Sequence, residues 1–294
     1  SFAKKFAELK EAVLSKRPIL RELIAKHADK KLIDYAALYT DVNLNPPIQR
    51  RQDELIGTFK SQVSKYFGEK VAEEAAQQLI AHYFVSTTDH HGPIVNQSFC
   101  NANLLTTATY AEHNDPALKY VIVLPCSNVT LSNITFPRGL IFNSPVEGKL
   151  RLQRLSFLPS NAHNSIVYDF RSYTTDEVKK LHQQIKDKER DKLINGAVTE
   201  KLHFLLDDIY LNPAVLEQPN YSDQMIVAND LLWRSYFKSS GVLPSRLLYI
   251  DQESMTSELL INYHLFEDTI LRSMLFHEAY IPYLKQYFSG IMGA

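Results

Sequence analysis

Hydroxyls, a carboxylate and two imidazoles crowd into the segment Ser86-Thr87-Thr88-Asp89-His90-His91-Gly92-Pro93. Aspartate beside histidine supplies the parts of a metal site, or of a general base oriented by a carboxylate. Asp89, His90 and His91 are therefore the first candidates for catalysis, and the same three for holding a divalent transition metal. Adjacent histidines in a turning segment point in different directions, so one can do chemistry while the other packs. The plainer reading is a helix end, where histidine complements the dipole and Gly92 stops the helix. So dense a polar cluster exceeds what capping requires.

Downstream, Asn96, Gln97, Asn101 and Asn103 surround Phe99 and Cys100. Amides at this density can orient a polar ligand through paired donors and acceptors, or can satisfy backbone groups in an irregular loop. We take Asn96, Asn101 and Asn103 as candidate substrate contacts. Cys126, in Pro125-Cys126-Ser127-Asn128, follows a strand-like run; a thiol there near a histidine is a candidate nucleophile, while a buried small hydrophobe is the commoner fate. Arg138 sits at the turn Phe136-Pro137-Arg138-Gly139, and its planar guanidinium suits a carboxylate or phosphate.

The triplet Asp89-His90-His91 is similar to the manganese-binding motif of the DHH phosphoesterases. The likeness covers three residues only. That family's strand-borne aspartate motifs and its Gly-rich motif have no counterpart here, so the chain is not assigned to it. Near the C-terminus, His264 precedes Glu267 and Asp268 by three and four residues, which places them on one helical face. His277-Glu278 lacks the second histidine of a zinc-protease helix, because position 281 is Ile281. Walker-type, dinucleotide-binding and nucleophile-elbow signatures are absent, and with nine glycines in the chain a phosphate-cradling loop has little raw material.

The elements that must position these residues fall into three sections. Residues 1–85 read as helical: Leu9, Val13 and Leu20 recur in a Lys/Glu-rich background, and Val71, Ala75, Leu79 and Tyr83 step by four along one face. Asn45-Pro46-Pro47 breaks the section, with either proline able to begin the next helix. Residues 86–170 read as strand-rich, with runs at 120–124, 139–142, 149–152 and 165–168 separated by Asn, Ser and Pro turns. Residues 171–294 return mainly to helix. Thr174 with Glu177 three residues on has the form of a capping box, residues 247–250 are one more strand, and long helices are expected over about 253–288. The expected fold is α+β: a single domain over 1–294, with helical N- and C-terminal sections packed around a central, mostly antiparallel or mixed sheet.

At 294 residues with 45% hydrophobic and 22% charged side chains, the chain has the composition of an ordinary globular protein. A net charge of -1 disfavours general nucleic-acid binding, which draws on a basic excess. Two cysteines and no apolar run of membrane-spanning length lead us to expect a soluble, cytoplasmic protein without a membrane partner. Together the residues point to an enzyme acting on a small polar or anionic metabolite by hydrolysis-like chemistry at the Asp-His-His cluster. The competing expectation is a non-catalytic interaction module, such as a bacterial effector or adaptor, with a protein partner.

Overall fold

A computed structural model describes residues 2–31, 34–35, 38, 52–82, 85–87, 91–94, 103–105, 107, 118–168, 170–237, 246–263 and 282. In chain order these form α1 (Phe2–Lys16), α2 (Pro18–His27), α3 (Gln52–Phe67), α4 (Glu69–His82), β1 (Tyr120–Val123), β2 (Gly139–Val146), β3 (Lys149–Ser156) and α5 (Thr175–Arg190). There follow α6 (Gly196–Phe204), a π-helical turn (Leu205–Tyr210), α7 (Pro213–Leu216), α8 (Tyr221–Phe237), β4 (Arg246–Tyr249) and α9 (Gln252–Asn262). The mixture of helix and strand matches the α+β expectation. Among the described residues the strands divide between two small sheets, β1 with β4 in parallel and β2 with β3 antiparallel.

The parallel pair organises the molecule. Its β-branched and aliphatic residues are buried on both faces, as a sheet covered on both sides demands. Tyr120, Ile122, Leu248 and Ile250 face one way, into a core with Phe59 and Val63 of α3 and Ala72, Ala75 and Leu79 of α4. Val121, Val123, Leu247 and Tyr249 face the other, into a larger core with Met225, Leu232 and Trp233 of α8 and Leu181 of α5. Ser86 extends this sheet on the far side of β1: its N–H donates to Ile122 O (2.8 Å) and its carbonyl accepts from Leu124 N (2.8 Å). The start of β1 is seated by the buried amide of Gln78, whose Oε1 accepts from Lys119 N and Tyr120 N and whose Nε2 donates to Tyr120 O.

The antiparallel pair is a hairpin closed by Glu147 and Gly148, both with positive φ (49° and 75°), the conformation that a two-residue turn between right-twisted strands requires. At its other end Gly139 admits no side chain, since a Cβ would lie 2.1 Å from Leu155 O. Thr174 and Glu177 form the expected capping box on α5, whose Val178, Leu181 and Ile185 make its buried stripe. Residues 165–168 enter only an isolated bridge, Thr130 with Ile166. In α1 and α2 the expected apolar face is present but largely uncovered, with Leu9, Val13 and Leu20 exposed and Leu14 buried. Pro46, Pro47, Tyr83 and the helices expected after residue 263 lie outside the described residues, Pro282 excepted.

Candidate functional site

In open sheets of parallel strands, ligands bind outside the carboxyl ends of the strands, where the chain leaves the sheet and side chains converge. Here that edge is reached by residues 86–87 and 91, by residues 124–127 after β1, and by residues 250–254 after β4. The first turn of α8, residues 221–224, packs against them.

A buried polar network joins these segments. Asp251, fully buried, caps α9 by accepting from Glu253 N (3.1 Å). Its Oδ1 also takes the hydroxyl proton of Ser127 (2.5 Å), and its Oδ2 accepts from Ser222 (2.9 Å) and Ser254 (3.0 Å). Four donors saturate the carboxylate, which is what its burial requires. Glu253 accepts the Ser127 N–H (2.6 Å) and the thiol of Cys126 (3.3 Å).

His91 enters the same network. It is fully buried against the Tyr249 ring (centroids 5.2 Å apart), and its N–H donates to Cys126 O (2.8 Å). Nε2 stands 3.0 Å from Ser222 O and 2.9 Å from Ser222 Oγ. Because that hydroxyl gives its proton to Asp251, both contacts of Nε2 are acceptors, which places the ring proton on Nε2. Nδ1 then carries a lone pair without a hydrogen-bond partner among the described residues. Burial holds the ring's pKa below its ordinary value, against the opposing pull of Asp251 and the Ser222 carbonyl. The neutral form is therefore the native one.

The network backs onto a cavity of about 510 Å³ lined by Gln62, Lys65, Tyr168, Phe170, Arg171, Asn220, Asp223 and Ser254. Its wall carries a carboxylate, Asp223, with 2% side-chain exposure, held by Lys65 Nζ (2.7 Å) and the Tyr66 hydroxyl (2.6 Å). Burial and then this bond to Asp223 push the Tyr66 phenol well above its usual range, so it stays a donor. Asn220 orients Asp223 by accepting its backbone N–H (2.8 Å). A larger hollow, about 610 Å³, lies among Ile94, Phe142, Leu202, Leu232, Trp233 and Phe237, with Lys201 and Asn143 among its few polar groups. Size alone favours the second; the convergence of carboxylate, ammonium, guanidinium, amide and hydroxyl favours the first, and we take the polar cavity as the candidate site.

Of the residues expected from sequence, His91 and Cys126 are brought to this edge. Burial raises the Cys126 thiol, with the Glu253 contact adding to it, the reverse of nucleophile activation. Arg138 does not line the cavity; its guanidinium lies 5.1 Å from the centroid of the Phe136 ring, and that of Arg154 lies 5.6 Å from the same centroid. Asn103 is buried in a helical segment and its side-chain amide has no hydrogen-bond partner among the described residues. Asp89, His90, Asn96, Asn101, His264, Glu267, Asp268 and His277 lie outside the described residues. Sequence reasoning missed Lys65, Asp223, Ser222, Asp251 and Asn229. Asn229 clamps the turn at Gly92, donating to Gly92 O (3.0 Å) and accepting from Ile94 N (3.1 Å). It also missed a second grouping, in which His182, His203 and Asp207 stand close enough together that they could hold a metal ion.

No family model, curated protein or solved structure matches the chain. Among the described residues no helix is long and apolar enough to cross a membrane.

Proposed function

We propose that the protein is an enzyme acting on a small polar or anionic metabolite bound in the strand-edge cavity. The observation that carries this reading is the buried Asp223 carboxylate, presented to the cavity by Tyr66 and Lys65 beside Arg171. Lys65 supplies positive charge for an anionic group, Arg171 stands at the wall in a bidentate pair with Glu177 (2.6 and 3.0 Å), and Gln62, Asn220 and Ser254 supply oriented polar contacts. Asp223 is the group placed to exchange a proton with a bound substrate, in a hydrolysis or related proton-transfer reaction. His91 acts from behind the wall, fixing Ser222 at the start of α8. Asp89 and His90, the neighbours of His91 in sequence, are the further candidates for acid–base or metal chemistry.

The test is a thermal-shift screen of carboxylated and phosphorylated metabolites against the whole protein, followed by turnover assays on any compound that stabilises it. We expect a hit whose binding is weakened by Lys65→Met and whose turnover is lost in Asp223→Asn. A hit that binds both variants as it binds the wild type would place the ligand elsewhere.

A second reading is a non-catalytic interaction module such as a bacterial effector or adaptor. One observation favours it: α1 and α2 hold Phe2, Phe6, Leu9, Val13, Ile19 and Leu20 exposed to solvent, an apolar surface suited to a protein partner.

A further inference from the structure

His182 lies on α5 beside the buried Leu181, His203 on the last turn of α6, and Asp207 in the π-helical turn that follows. The two imidazoles lie nearly parallel (14°) with centroids 5.0 Å apart, and their Nδ1 atoms are 3.0 Å from each other. Asp207 Oδ1 is 3.0 Å from His182 Nε2, and Asp207 Oδ2 is 3.9 Å from His203 Nδ1.

These distances constrain the protons. A carboxylate against Nε2 fixes the proton of a neutral His182 on that nitrogen, leaving the Nδ1 lone pair aimed at His203. Two facing ring nitrogens need something between their lone pairs: the N–H of one neutral ring, or a metal ion that both rings ligate. The wide turn contributes as well. Leu211 N bonds to Leu206 O (2.8 Å), a five-residue step that offsets the backbone where Asp207 leaves it, and such turns recur at functional sites.

We infer that His182, His203 and Asp207 bind one divalent transition-metal ion of the zinc type. The Nδ1 atoms of both histidines are ligands, and Asp207, whose Oδ2 lies 3.9 Å from His203 Nδ1, turns away from His182 Nε2 to supply the third. Tetrahedral bonds of zinc length separate two nitrogens by about 3.3 Å, so the observed 3.0 Å needs an opening of only a few tenths of an ångström. Two imidazole nitrogens select such a metal over calcium or magnesium, which take oxygen. His182, His203 and Asp207 have side-chain exposures of 23%, 36% and 52%, so solvent reaches the ion and water completes its coordination. None of the three lines the strand-edge cavity, and the site stands independently of the function proposed there. Bound metal would tie α5 to the turn after α6.

The experiment is titration of chelator-treated whole protein with Zn²⁺, and with Co²⁺ followed by its visible absorption. The expected result is one equivalent bound, with a rise in melting temperature. His182→Gln and His203→Gln should each weaken binding roughly tenfold or more, and the double variant should lose it. The chain has ten histidines, so the double variant is what locates the ion. If that variant does not fold by circular dichroism, the single His203→Gln variant, at the more exposed histidine, carries the same test. Failure of the wild type to take up either metal at about 100 µM overturns the proposal, well above the affinities of built zinc sites. Binding as tight in the folded variants as in the wild type overturns it equally.

Discussion

Lys65 Nζ lies 2.7 Å from Asp223 Oδ2 although 158 residues separate them in the chain, so α3 and the first turn of α8 share one charge pair at the mouth of the polar cavity. The two members are unequal. Lys65 is 46% exposed and Asp223 2%, so solvent screens the ammonium while the carboxylate depends on its neighbours. Lys65→Met strips the buried carboxylate of its counter-charge and should therefore cost about 3 kcal/mol of stability. Asp223→Asn keeps an acceptor for the Tyr66 hydroxyl and releases an ammonium that water can solvate, so it should cost about 1 kcal/mol or less. Urea denaturation of both variants measures this, and equal losses would contradict the asymmetry.

His91 predicts a pH dependence of stability. Its folded pKa is depressed by burial, below the 6.5 of an unperturbed imidazole. Above that value neither state carries the proton and the ring's contribution is fully present. As pH falls below it the unfolded chain takes up a proton that the native ring refuses, and stability declines until the folded pKa is passed. The denaturation midpoint should thus drop between about pH 7.5 and about pH 5.5 more steeply in the wild type than in His91→Gln, which keeps a donor near Nε2. Parallel slopes in the two proteins would assign the pH dependence to other groups.

Asn229 should be among the most sensitive positions in α8. Its amide satisfies both Gly92 O and Ile94 N inside the core, and Asn229→Ala strands both. A loss of about 2–4 kcal/mol is expected. Hydrogen exchange should show faster opening of the 91–94 turn in the variant than in β1. Uniform acceleration throughout would show that the clamp is not local.

Cys126 should react slowly. In a Cys100→Ser background, its modification by a disulfide reagent at about pH 8 should be slower than that of an unperturbed thiol, because the thiolate is disfavoured. Glu253→Gln removes the negative charge beside the sulfur and should speed the reaction severalfold. No acceleration would mean that burial alone governs the thiol.

Local features are legible in the residues themselves. Thr174 and Glu177 announce a helix start by chemistry confined to four residues, and the apolar run at 120–124 can be buried only as a strand or a short helical piece. The face of Leu9, Val13 and Leu20 shows where spacing stops informing: periodicity says a helix has an apolar side, not that anything covers it. The site is half visible. His91 stands out as a polar residue in a turn, but its partners Ser222 and Asp251, and the cavity's Lys65 and Asp223, come from distant segments that one sequence cannot pair. The four-residue spacing of His203 and Asp207 is readable; the approach of His182 from another helix is not.

The parallel pairing of β1 with β4 bears on synthesis. Ser127 and Asp251, just past the ends of those strands, are 124 residues apart. A ribosome completes α3, α4 and β1 long before Arg246 emerges. During that interval the Leu248–Ile250 side of the Phe59–Ala75 core is missing, and one edge of β1 has no permanent neighbour. The nascent protein should lean on a holding chaperone until β4 arrives, and chains terminated before Arg246 should aggregate or be degraded instead of accumulating as a folded half.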